Sequence, residues 1–122
     1  MPRMISFALT TQQFIDGTKD VTRRLAWEKA KAGDVLMAVE KAMGLGKGGK
    51  VKRLGLIQVV DVRREQLDAL IYDGRRGYGV EECRREGFPH MTPCEFINFF
   101  TEANDCNPWD AVTRIEFKKV AG

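Results

Sequence analysis

The stretch Gly17-Thr18-Lys19-Asp20-Val21-Thr22-Arg23-Arg24 decides how the rest of this chain is read. Gly17 stands just past a short amphipathic run, where a glycine commonly ends a helix, and a Lys-x-x-Thr-x-Arg pattern then starts on an extended segment. Along a strand, side chains alternate, so Asp20, Thr22 and Arg24 share one face while Lys19, Val21 and Arg23 take the other. A straight strand therefore separates Lys19 from Thr22. A bend or bulge after Gly17 would instead let the lysine arm swing back to the concavity of the hydroxyl. Two readings stand at this point: a solvated, basic edge segment, or a wall that faces a ligand.

Before this stretch, residues Met4 to Leu9 read as a first strand with Ile5, Phe7 and Leu9 on one face. Thr10 or Thr11 then caps a short helix from Gln12 to Asp16, with Phe14 and Ile15 on its buried side. After it, a polar run from Trp27 to Ala32 ends at a Gly33-Asp34 turn, and Val35 to Val39 is apolar enough for a strand buried on both faces. A second long strand is expected from Arg53 to Val62.

Between these strands lie Lys41, Lys47, Lys50, Lys52 and Arg53 with no acidic residue, among Gly44, Gly46, Gly48 and Gly49. Such a loop can adapt ammonium and backbone groups to a phosphate chain, or simply be a solvated hairpin tip. Gly44 to Lys50 also matches the spacing of a nucleotide phosphate loop, but Val51 fills the magnesium-binding position and the following β-branched run is not a helix. An NTPase is rejected.

Further on, glycines make Tyr72 to Gly79 a loop, and Val80 to Arg85 a short helix that Gly87 closes. This leaves Glu86 at the helix C-terminus, where the dipole disfavours a carboxylate; conflicts of that kind collect at functional sites. Thr92-Pro93-Cys94-Glu95 is a capping box with proline at the first helical position. Phe96, Phe99, Phe100 and Ala103 then fall on one helical stripe, read as core rather than as a stacking platform, with Trp109 anchoring the return. In a last strand, Val112 to Val120, Ile115 and Phe117 face inward while Arg114, Glu116 and Lys118 face water.

At 122 residues, 43% hydrophobic and 30% charged, one compact domain over residues 1–122 is expected. Its apolar runs are too short to cross a bilayer and its first residues lack the core of a secretory signal, so a cytoplasmic location is expected. Cys83, Cys94 and Cys106 match neither a disulfide framework nor metal-knuckle spacing, and the lone His90 removes the common zinc ligand sets. No metal or cofactor is expected. The net charge of +3 permits contact with nucleic acid without demanding it.

Taken together, Gly17-x-Lys19-x-x-Thr22-x-Arg24, Gly33-Asp34 before a strand, Glu86-Gly87 after a helix and a closing strand resemble, in content and order, the ASCH family of the PUA-like superfamily. The resemblance spans nearly the whole chain. It implies an α+β fold, a small, partly open PUA-like β-barrel with flanking short helices, around a cleft for RNA or a modified nucleobase. One branch of the family removes the acetyl group of N4-acetylcytidine, a linear amide, and its Lys, Thr and Glu catalytic residues match Lys19, Thr22 and Glu86. Thr22 would be the nucleophile, Lys19 the base that takes its proton, and Glu86, if burial raises its pKa, the proton donor to the leaving amine. Arg24 would hold an oxyanion or phosphate, and Arg23 with Lys41, Lys47, Lys50, Lys52 and Arg53 would contact nucleic acid. Asp20 stands where the deacetylating members commonly carry an uncharged residue, and a carboxylate there would keep Lys19 protonated. The alternatives are a non-catalytic RNA-binding module, in which these cations only touch phosphates, and a ribonuclease, for which no acid and base can be assigned.

Overall fold

A computed structural model describes residues 2–40 and 51–120. Along the chain run β1 (Arg3–Ser6), α1 (Thr11–Asp16), β2 (Val21–Arg24), β3 (Val35–Val39), β4 (Arg53–Gln66), α2 (Ala69–Tyr72), α3 (Tyr78–Arg85), α4 (Pro93–Asn104) and β5 (Ala111–Lys119). The five strands form one sheet in the order β1-β3-β4-β5-β2, with β1 parallel to β3 and the other pairs antiparallel. The architecture is α+β: a curled half-barrel sheet with four short helices among the described residues. No helix among those residues is long and apolar enough to cross a membrane.

The curl comes from β4. This strand is four residues longer than the sequence pattern suggests, because Arg63 to Gln66 continue to pair with Arg114 to Ala111 of β5. Its register with β5 shifts between Val59 and Asp61, and its register with β3 shifts next to Gly55. An extra residue at each point bends a strand and increases its twist. Inside the curl, Ile5, Phe7, Leu36, Ala38, Ile57, Val59, Ile115 and Phe117 pack with Phe14 of α1, whose ring stacks on Phe7 at 5.0 Å.

A second apolar cluster joins Val112 to Leu67, Leu70, Cys83, Phe96, Ile97 and Phe100, so α2, α3 and α4 cover the other side of the sheet. That second cover changes how β5 reads: Arg114 does not face water but is buried, as are Val112 and Thr113. Leu9 is also reassigned. The chain leaves β1 after Ser6 and turns, leaving Leu9 64% exposed. Ile15 of α1 and Val35 of β3 are exposed as well, and Trp109, expected as an anchor, is 62% exposed. The return into β5 is held by the backbone instead, through Asp68 N–H to Pro108 O and Leu67 N–H to Asp110 O.

Candidate active site at the barrel seam

The outermost strands of the sheet, β1 and β2, do not pair with each other through their backbones, and the site lies along this seam. Gly17 adopts a left-handed conformation and donates its N–H to Phe14 O, while Thr18 N–H reaches Gln13 O; α1 therefore stops in one residue. Before β2 begins, Asp20 is fixed on both sides, its N–H to Arg85 O and its carbonyl accepting from Phe117 N–H. The bend carries Lys19 inward. Lys19 and Thr22 line the same cavity, of about 160 Å³, so the path after Gly17 is not that of a straight strand.

Glu86 reaches this cavity from the opposite direction, as the residue that closes α3. Lys19 Nζ donates to its carboxylate Oε1 at 2.8 Å and to its backbone carbonyl at 2.9 Å. The second carboxylate oxygen accepts from Arg23 NH1 at 3.0 Å. Two cations thus offset both the helix dipole and the burial of a carboxylate only 3% exposed. Burial lowers the Lys19 ammonium below its ordinary pKa, with Glu86 opposing and Arg24 and Arg23 adding to the fall.

Arg24 bridges the seam. Its NH2 donates to Ser6 O at 2.6 Å and its Nε to Thr22 Oγ1 at 3.0 Å, which leaves the threonine hydroxyl proton free to point elsewhere. Arg23, on the other face of β2, is buried among carboxylates. Its NH2 reaches Glu82 Oε1 at 2.6 Å, with Tyr78 and Glu65 at longer range. The expectation about Asp20 is corrected: its carboxylate pairs with both arms of Arg85, at 3.0 Å each, and Lys19 has Glu86 as its partner.

Of the other predicted contacts, Lys41, Lys47 and Lys50 lie outside the described residues. Lys52 pairs with Glu40 at 3.4 Å and Arg53 opens β4 opposite Val39; neither lines the cavity. Two features of the site were not legible in the sequence. The first is an aromatic wall: Phe88, Phe96, Phe99 and Phe100 border the cavity opposite the polar floor. The helical spacing that marked core was right for the buried Phe96 and Phe100, but the half-buried Phe99, with its ring 5.1 Å from Phe88, shows the same stripe ending in a surface. The second is the charge chain behind Glu86, formed by Arg23, Glu82 and Arg114, whose members come from three separate elements, β2, α3 and β5. Among the described residues no three His, Cys, Asp or Glu side chains are grouped to hold a metal ion.

No protein-family model matches this chain, and no curated protein matches it. Among solved structures, it is similar to protein EF3133 from Enterococcus faecalis V583, of family-model DUF984, with 16% sequence identity and a TM-score of 0.62 over 98% of this chain and 80% of that one. At that identity the likeness is one of fold.

Proposed function

We propose that the seam cavity takes one base-sized heterocycle carrying a linear amide, and that Lys19, Thr22 and Glu86 hydrolyse that amide, as in the ASCH members that deacetylate N4-acetylcytidine. The observation that carries this reading is that one cavity joins a buried lysine–carboxylate pair and a threonine hydroxyl to an aromatic wall. The curled sheet and the motif order support a PUA-like barrel, and the fold likeness is compatible with it.

The cavity volume favours a single ring. Pockets for drug-sized ligands run roughly 300–1,000 Å³, so about 160 Å³ suits a base and not a stretch of polymer. An RNA ligand would have to present its base extruded from the strand.

The reactive form has the Lys19 amine neutral beside the Glu86 carboxylate. Thr22 Oγ attacks the amide carbon as Lys19 takes its proton, and the Arg24 cation, 3.0 Å from Thr22 Oγ1, lies beside the reacting centre. Glu86 takes that proton from the Lys19 ammonium and passes it to the departing exocyclic amine as the C–N bond breaks. Water then attacks the acyl-threonine ester as Lys19 takes one of its protons, and Lys19 returns that proton to Thr22 Oγ as acetic acid leaves. Each group ends as it began.

The test is incubation with N4-acetylcytidine, and with an RNA containing it, followed by chromatography of the deacetylated product. Turnover by the native protein, lost in Lys19→Ala and in Thr22→Ala, is the expected result. No turnover, or equal turnover in both variants, sinks the hydrolase. Salt-sensitive RNA binding without turnover would leave the binding module in its place.

A further inference from the structure

Behind the cavity, five charges alternate in sign through the interior. Lys19 meets Glu86, Glu86 meets Arg23 at 3.0 Å, Arg23 meets Glu82 at 2.6 Å, and Glu82 accepts from Arg114 through both its oxygens. All five side chains are buried. Arg23 and Arg114 stand directly opposite each other on β2 and β5, a like-charge pairing that is unfavourable alone, and Glu82 lies between their guanidinium groups. The arrangement is also incompletely satisfied, because Arg23 Nε and Arg114 NH1 are buried without a hydrogen-bond partner among the described residues.

Such a chain is a poor device for stability. Desolvating several ions costs as much as their attraction returns, and apolar residues of similar volume would serve as well. Its geometry does have a use at one end. Glu86 offers two carboxylate oxygens, and with Oε2 held by Arg23 the other stays on the lysine amine.

We propose that Arg23 is a positioning residue for the Lys19–Glu86 pair, and that Glu82, itself anchored by Arg114, holds Arg23 in place. Arg23 borders the cavity, but its side chain is wholly buried against Glu86 and Glu82; its role here is to fix the orientation of Glu86 and supply a positive charge beside it. The inference rests on the reading of Lys19 and Glu86 as the reactive pair.

The charged groups that face Lys19 are Glu86, Arg23 and Arg24, while Asp20 is engaged by Arg85. Those that face Arg23 are Glu86, Glu82, Glu65 and Tyr78, with Arg114 opposite it on β5. Two neutral substitutions therefore act on Lys19 with opposite sign. Arg23→Gln removes a cation from behind Glu86, leaving its charge to the lysine, and the Lys19 amine titrates at higher pH. Glu82→Gln removes an anion, leaves the full charge of Arg23 on the pair, and the amine titrates at lower pH.

The experiment follows the Lys19 Nζ resonance by ¹H–¹⁵N NMR across pH in the free protein, with its resonance assigned by Lys19→Arg. Displacements on the order of one pH unit, upward for R23Q and downward for E82Q, are expected. Arg23→Lys, which keeps the cation, should show little of the upward displacement. Unmoved titration in both variants, or displacement of both in one direction, overturns the coupling. Should R23Q not fold, E82Q and R23K carry the same comparison. No substrate is involved, so this outcome is independent of whether N4-acetylcytidine is hydrolysed.

Discussion

Arg24 NH2 donates to Ser6 O at 2.6 Å, joining the two outer strands that the sheet itself leaves unpaired. The half-barrel is closed on this side by a side chain, and the gap that a backbone ladder would have filled is the cavity. Arg24 thereby serves the wall and, through Nε, the Thr22 oxygen. Arg24→Ala removes both bonds and is expected to cost about 2 kcal/mol, the range for hydrogen bonds to a charged group. For a chain of this size that lowers the melting temperature by roughly 8 °C, which calorimetry would register. A fall under 2 °C would mean that the seam is held by something else.

Acid should act on the protein through Glu82. Burial alone would raise this carboxyl, but Arg114 and Arg23 overcome it and hold it at about 2. A carboxyl depressed in the folded state stabilises it above the unfolded pKa near 4.5, and that stability is lost as pH falls from there toward 2. The displacement corresponds to about 3 kcal/mol. Exposed carboxylates such as Glu81 and Asp73 shift in the same sense through arginine partners, yet added salt screens those and leaves the buried one. Urea denaturation at 0.5 M salt between pH 5 and pH 2.5 should therefore still show falling stability. A flat profile would remove Glu82 from the account.

The fold was largely readable because its signals are local. Gly17 ends α1, the Thr92–Glu95 capping box opens α4, and Gly33, with φ of +95°, makes the turn before β3. Periodicity placed Ile5, Phe7, Ile115 and Phe117 in the interior. Its failure on β5 has a topological cause. Alternation along β5 assigned Arg114 to water because one buried face was assumed, whereas α3 lays Glu82 over the other. The Lys19, Thr22 and Glu86 positions came from the order of short motifs, yet nothing in their spacing showed that Arg85 would take Asp20, or that Arg23 would turn inward. Long-range pairing of charges leaves no trace in a window of ten residues.

Gly87 links α3 to the site by close approach as well as by backbone conformation. Its φ is +101°, and a β-carbon there would meet Cβ and Cγ of Gln13 at 2.8 Å and Cβ of Lys19 at 3.5 Å. Gly33 is a natural control, since its φ of +95° is similar and a β-carbon would meet nothing within 4 Å. Gly33→Ala should cost only the backbone penalty, about 1–2 kcal/mol. Gly87→Ala adds displacement of α1 against Lys19 and should cost at least twice as much. Equilibrium unfolding of both variants decides it: equal losses would mean that α1 yields freely.

If Lys19 is the base, the rate must follow its neutral form. Burial lowers the amine below 10.5, with Glu86 pulling the other way, so kcat/KM should climb with pH and level off before the ordinary lysine range. Glu86→Gln removes the anion that favours the charged lysine, so the rising limb should move to lower pH. The same substitution takes away the proton donor, so the plateau should fall by roughly 10²–10⁴-fold, the contribution of a positioned general acid. Lys19→Arg, permanently charged, should show no rising limb at any pH. Both effects of Glu86→Gln arise from one carboxylate and point in different directions on the profile. A limb that moves to higher pH, or one that persists in Lys19→Arg, would assign the base to another group.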